Sequence, residues 1–84
     1  MTLEFPNRSR SFDEVRNAVR FIGHDGMFEV PFFVQVAALG RTGLSETESL
    51  SAFDAARSSI HDIAREAYSH GRRTSYTLTA ADFR

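Results

Sequence analysis

The sequence predicts an α+β domain: a small antiparallel β-sheet of three or four strands with a central hairpin, packed against one long amphipathic helix, with one brief additional helix. Three observations support this fold class. An Asp-Gly turn joins two apolar segments, a long stripe of apolar residues has helical spacing, and most strand-like segments precede the main helix. With 84 residues, the chain forms a single domain, residues 1–84.

The hairpin is predicted around Asp25 and Gly26, because a two-residue type I′ turn favours these residue types. Pairing outward from this turn places Ile22 opposite Glu29. This register gives one apolar face, which we expect to point at the core: Val19, Phe21, Phe28, Val30, Phe32 and Val34.

The long helix is predicted over residues 46–70. Ser45 and Glu48 have the spacing of a capping box, and Gly71 is placed to end the helix in the left-handed conformation. The apolar residues recur at steps of three and four: Leu50, Phe53, Ala56, Ile60, Ile63, Ala64, Ala67 and Tyr68. Such a stripe can cover one face of a small sheet.

The shorter elements follow from local signals. Val36–Leu39 fits a brief helix that Gly40 closes, before a loop at residues 41–43. The secondary structure of residues 12–15 is left undecided, since Ser11 with Glu14 fits the cap of a helical turn. A last strand at residues 74–78 can pair beside either hairpin strand, and Pro31, which has no backbone N–H, favours the first.

Composition excludes several function classes. The chain has no cysteine, which removes disulfides and thiolate metal sites and fits a reducing, cytoplasmic location. Ten basic residues, all arginine, balance eleven acidic ones and are spread evenly, which argues against a nucleic-acid module. No apolar segment is long enough to span a membrane, and the N-terminal residues lack a signal-peptide pattern. No metal-ligand spacing, catalytic motif or cofactor motif is present, so we expect no metal, no cofactor and no enzymatic activity.

The second face of the hairpin is the main candidate site. It mixes apolar residues with charge, and a diagonal ion pair between Arg20 and Glu29 is possible in the predicted register. Either neighbouring segments cover this face, or it is a partner surface, most simply for a second copy of the chain in a homodimer. The candidate partner surface consists of Arg20, Ile22, Met27, Glu29 and Phe33.

Two other functions remain as alternatives. Four arginines, Arg8, Arg10, Arg72 and Arg73, are candidate phosphate contacts for weak nucleic-acid binding if the chain termini converge. An enzyme is indicated only if a pocket brings His24 or His61 together with a carboxylate. The preferred function is a non-enzymatic interaction module.

The sequence also resembles the small YrdB-like bacterial proteins, a family classed as a domain of unknown function. The similarity lies in apolar and turn positions along nearly the whole chain: Phe5-Pro6, residues 18–21, Gly26, residues 32–34, Ala38-Leu39, Phe53, Ile60, Ala67, Gly71, Tyr76, Leu78 and residues 81–83. The resemblance implies a single α+β domain from the bacterial cytoplasm and implies no catalytic or binding residue.

Overall fold

Four strands form one sheet in the order β1-β2-β3-β4 in this computed structural model, which describes residues 3–40 and 45–83. The elements in chain order are β1 (Arg10–Asp13), β2 (Ala18–Asp25), β3 (Phe28–Gln35), a 3₁₀ turn (Val36–Leu39), α1 (Glu46–Ala55), α2 (Arg57–His70), β4 (Tyr76–Leu78) and a second 3₁₀ turn (Ala80–Phe83). The α+β class is confirmed. The loop predicted at residues 41–43 lies outside the described residues.

The sheet is mixed, so the prediction of an antiparallel sheet is wrong at one edge. Strands β1, β2 and β3 are antiparallel neighbours, but β4 is parallel to β3. The inference that Pro31 directs the last strand to β2 is also wrong. That edge of β2 is occupied by β1, which includes part of residues 12–15, the segment that the sequence left undecided. The β3–β4 ladder starts at Phe32, directly after Pro31, so the missing N–H of proline is not required.

Strands β2 and β3 form the expected hairpin, but its turn lies one residue later than predicted. Gly26 and Met27 are the turn residues, and Gly26 has φ 62° while Met27 does not have a positive φ. Positive φ at only the first central residue is the pattern of a type II′ turn. The register shifts by two residues, so that Ile22 pairs with Pro31 instead of Glu29. Because the shift is even, every side chain keeps its predicted face.

The helical stripe is divided between two helices, and the prediction of one long helix is wrong. The capping box of Ser45 and Glu48 is present, but the backbone leaves the helical region at Ala56, with φ −107° and ψ 13°. A straight helix over residues 46–70 would be about 37 Å long, whereas the longest dimension of the chain is 36 Å. The break lets α1 contact β1 and β2 while α2 contacts β4.

The core lies between the two helices and one face of the sheet. Phe53 and Ile60 from the helices and Phe32 from β3 are fully buried there, and burying each such side chain contributes about 1.5–3 kcal/mol. Leu3 joins the core because Glu4 forms a backbone bridge to β2, with hydrogen bonds of 2.7 and 2.8 Å to His24. These contacts fix the N-terminal segment beside α2.

The two glycines expected to end helical turns have different backbone conformations. Gly40 has φ 89° and closes the first 3₁₀ turn in the left-handed conformation, as predicted. Gly71 follows α2 with φ 165° and ψ 150°, so the expected left-handed cap is wrong at this position. An extended backbone there leads the chain directly from α2 towards β4.

Candidate functional site

The face of the sheet opposite the core carries the candidate partner surface. Side-chain alternation places Arg20, Ile22 and Phe33 on this open face, while both described α-helices pack on the other. Its centre is apolar, with Ile22 and Pro31 half-buried. Phe33 is only 7% exposed, and the guanidinium of Arg16 lies 4.5 Å from the centre of its ring. The exposed apolar area is therefore narrower than the sequence indicates.

The charges of the open face lie at its two ends. Arg20 is opposite Phe33 in the observed register, and Glu29 is opposite His24. Four residues along the hairpin separate Arg20 from Glu29, which is about 13 Å, so the predicted diagonal ion pair is wrong. Both side chains are exposed, and neither forms an ion pair with any residue that the structure describes. The face thus has a positive end, an apolar centre and a negative end.

The tip of the hairpin is firmly placed yet exposes apolar side chains. The hydroxyl of Tyr68 in α2 donates a hydrogen bond of 2.5 Å to Asp25, which raises the pKa of Tyr68 above its ordinary value. Met27 is 97% exposed and Phe28 is 76% exposed. Phe28 has the parity of the core face, but it lies at the tip of the hairpin outside the core, so the prediction that it points at the core is wrong. Of the predicted partner surface, Met27 is therefore the most accessible apolar residue.

The four arginines expected to contact phosphate do not form one surface. Arg10 binds Asp54 through Nε at 3.0 Å and Nη2 at 2.8 Å, next to the start of α2. Arg72 and Arg73 follow the other end of α2, a helix of 14 residues and therefore about 21 Å long. Arg8 is close to Arg10 in the chain. The four arginines therefore form two pairs, Arg8 with Arg10 and Arg72 with Arg73, which face different parts of the molecule.

An ion-pair cluster stabilises the junction of α1 and α2. Asp54 accepts hydrogen bonds from Arg10 and, at 2.6 Å, from Arg57, and these bonds hold the pKa of its carboxyl below the ordinary value. The side chain of Arg57 is only 12% exposed and lies over the ring of Phe53 at 4.9 Å. Its Nε is buried and has no hydrogen-bond partner among the described residues.

His61, which the sequence offers only for the enzymatic alternative, lies on α2 against the N-terminal segment. Its ring stacks on Phe5 with a centroid separation of 4.0 Å and an interplanar angle of 7°. Burial, together with the nearby positive charges of Arg57, Arg65 and Arg8, lowers the pKa of His61 to about 4. The imidazole is therefore neutral at pH 7. Arg57, His61 and Arg65 follow one another at four-residue steps on one helix face, which was the available sequence signal.

Three clefts formed by the described residues have a histidine and an acidic residue in their walls; the smallest, of about 240 Å³, has His70 and Asp82, and the other two are larger. One, of about 410 Å³, is lined by Glu4 and His24, which the structure joins through their backbones. The other, of about 440 Å³, is lined by His61 and Asp54, whose two oxygens already accept hydrogen bonds from arginines. In none of the three does a histidine ring donate a hydrogen bond to a carboxylate among the described residues.

Residues 3–40 and 45–83 contain no group of three or more His, Asp or Glu side chains arranged to hold a metal ion. Within the same ranges, neither helix combines the length and the apolar character needed to cross a bilayer.

Comparison with known proteins identifies a family without a described activity. A family model described as "Protein of unknown function (DUF1488)" matches residues 3–79. No curated protein and no solved structure shows significant similarity to the chain. The match includes every described strand, both α-helices and the residues of both candidate surfaces.

Proposed function

We propose that this chain, which belongs to the DUF1488 family of proteins of unknown function, is a non-enzymatic interaction module that self-associates through the open face of its sheet. The observation that carries the proposal is the arrangement of Arg20 and Glu29 at opposite ends of an apolar centre. Each charge is exposed, and neither has a partner among the described residues.

A two-fold axis through the apolar centre explains this arrangement. In a symmetric dimer the same patch serves both subunits, so a patch must be complementary to itself. If the axis lies between the two faces and runs across the strands at Ile22 and Pro31, the positive end of one subunit meets the negative end of the other. Arg20 then faces Glu29 of the second copy, and Ile22 is buried between the subunits. Complementary charge of this kind fixes register and speeds association.

The absence of catalytic activity belongs to the same proposal. Among the described residues, no hydrogen bond joins His24 to Glu29, its cross-strand neighbour on the open face, and the carboxylate of Asp54 in the larger cleft is committed to two arginines. The bacterial, cytoplasmic setting and the closer resemblance to YrdB-like proteins are also parts of this proposal. Nucleic-acid binding through Arg8, Arg10, Arg72 and Arg73 is the less favoured alternative, because α2 separates the two pairs.

Molar mass measured by light scattering across a range of protein concentrations tests the proposal. We expect the wild type to approach twice its monomer mass and Ile22→Glu, which places a charge at the proposed axis, to stay monomeric. Val15→Glu is the matched control, since Val15 is 95% exposed and lies in the β1–β2 turn. A wild type that stays monomeric at the highest concentration, or equal loss of association in both variants, would refute self-association through this face.

A further inference from the structure

The larger cleft lies on the helical side of the sheet, away from the open face. Phe5, Arg8, Asp54, Arg57, Ser58 and His61 are among its lining residues, and its volume is about 440 Å³. Small-molecule sites in proteins have volumes of about 300–1,000 Å³ and combine apolar walls with a few polar groups. Here the aromatic ring of Phe5 forms part of the wall, and guanidinium, hydroxyl and imidazole groups supply the polar atoms.

Positive charge exceeds negative charge at this cleft. Arg10 and Arg57 share the single carboxylate of Asp54, so one of these two arginine charges is not neutralised. Arg8 adds a second positive charge that is not neutralised, because it is exposed and makes no hydrogen bond or ion pair with the described residues. His61 is neutral at pH 7 and adds no charge. Arg8 and Arg57 against Asp54 give the cleft wall a net charge of +1, and Arg10, bonded to Asp54 beside the wall, adds a further positive charge; this excess favours a phosphate monoester, whose charge near pH 7 is about −1.5 to −2.

Unused hydrogen-bond donors lie at the same place. Arg57 contributes charge and not a free donor, because its Nε is buried and its Nη2 donates to Asp54. Arg8 leaves its whole guanidinium available, and such a planar group can donate two parallel hydrogen bonds to phosphate oxygens. The hydroxyl of Ser58, at the cleft wall, can donate as well.

We propose that the cleft formed by Phe5, Arg8, Arg57, Ser58 and His61 binds a small organic molecule through its phosphate group. Arg8 and Arg57 hold the phosphate, and the volume beyond it accommodates the organic part against Phe5 and His61. This site does not depend on self-association, because the cleft and the open face lie on opposite sides of the sheet.

Titration with adenosine 5′-monophosphate, followed by the NMR signals of the His61 ring, tests this proposal, with adenosine and inorganic phosphate as separate probes. We expect saturable shifts with the nucleotide, weaker binding of inorganic phosphate and no binding of adenosine. The pKa of His61 should rise from about 4 when the nucleotide is bound, because a nearby negative charge favours the protonated ring. Binding of adenosine equal to that of the nucleotide would overturn the assignment of the phosphate.

Two arginine variants locate the site. Arg8→Gln removes a guanidinium without internal partners, so the fold should persist, and we expect about tenfold weaker nucleotide binding. Arg73→Gln makes the same change of charge beyond the far end of α2 and should bind like the wild type. Equal weakening in both variants, or no saturable shift with the wild type at millimolar nucleotide, would overturn the proposal.

Discussion

Replacing Gly23 with alanine tests how closely the N-terminal segment packs on the sheet. Gly23 lies on the core face of β2, opposite Val30. A Cβ atom at this position would be 2.9 Å from Phe5 Cε1, 3.0 Å from Leu3 Cδ1 and 3.2 Å from Phe32 Cε1. These separations are shorter than ordinary van der Waals contacts, so at least one side chain must move.

The expected cost follows from two opposing effects. Overpacking of this kind costs about 1–3 kcal/mol, while alanine restricts the unfolded chain and returns about 0.4–1 kcal/mol. We expect a net loss of about 1–2 kcal/mol in the free energy of unfolding. For a domain of this size, each kcal/mol lowers Tm by about 4–8 °C, so Tm should fall by about 5–15 °C.

Thermal and urea denaturation, followed by circular dichroism, measure this loss. Gly71→Ala is the matched control, because no atom lies within 4 Å of the added Cβ and the backbone is extended there. That variant should be as stable as the wild type or slightly more stable. If Gly23→Ala is as stable as Gly71→Ala, residues 3–5 do not pack over β2 as described, and the wall of the two larger clefts is placed incorrectly.

Two further predictions concern charge at the helix junction. The pKa of His61 is about 4 in the folded protein and 6.5 in the unfolded chain, so the unfolded chain binds more protons between these values and stability falls as the pH decreases from 6.5 to 4. Because the ring is only half-buried, we expect this contribution to be about 1–2 kcal/mol. Urea denaturation at several pH values should show the loss of stability in the wild type and in His70→Gln, but not in His61→Gln. An equal dependence of the unfolding free energy on pH in all three proteins would contradict the assignment. Asp54→Asn should lower the urea midpoint more than Asp62→Asn, because it leaves the guanidinium of Arg57, only 12% exposed, without its partner, whereas Asp62 is 75% exposed. Equal midpoints would show that the cluster is not structural.

Features encoded by neighbouring residues were predictable from the sequence. The capping box of Ser45 and Glu48 depends on residues three apart, and the side-chain faces of the hairpin survive any even shift of register. The exact turn was less determined, because an Asp-Gly sequence fits a type I′ turn and Gly-Met fits a type II′ turn. The hydrogen bond between Asp25 and Tyr68, 43 residues apart, holds the hairpin strand to α2 and is not visible in the local sequence.

Features that depend on tertiary packing were not predictable. Alanine is the strongest helix former, so nothing local marks Ala56 as the point where the helix breaks. The site around His61 was not predictable for the same reason, because Phe5 contacts the His61 ring only when Glu4 pairs with β2. The four-residue spacing of Arg57, His61 and Arg65 indicated a shared helix face but not what that face would contact.

A charge-exchange experiment at the open face tests the central claim most directly. In the proposed dimer, Arg20 of one copy faces Glu29 of the other, so Arg20→Glu or Glu29→Arg alone places like charges together. Sedimentation equilibrium should show the dissociation constant raised about tenfold or more in each single variant and returned close to the wild-type value in the double variant. A double variant that dissociates as readily as either single variant would contradict the proposed arrangement of the two copies.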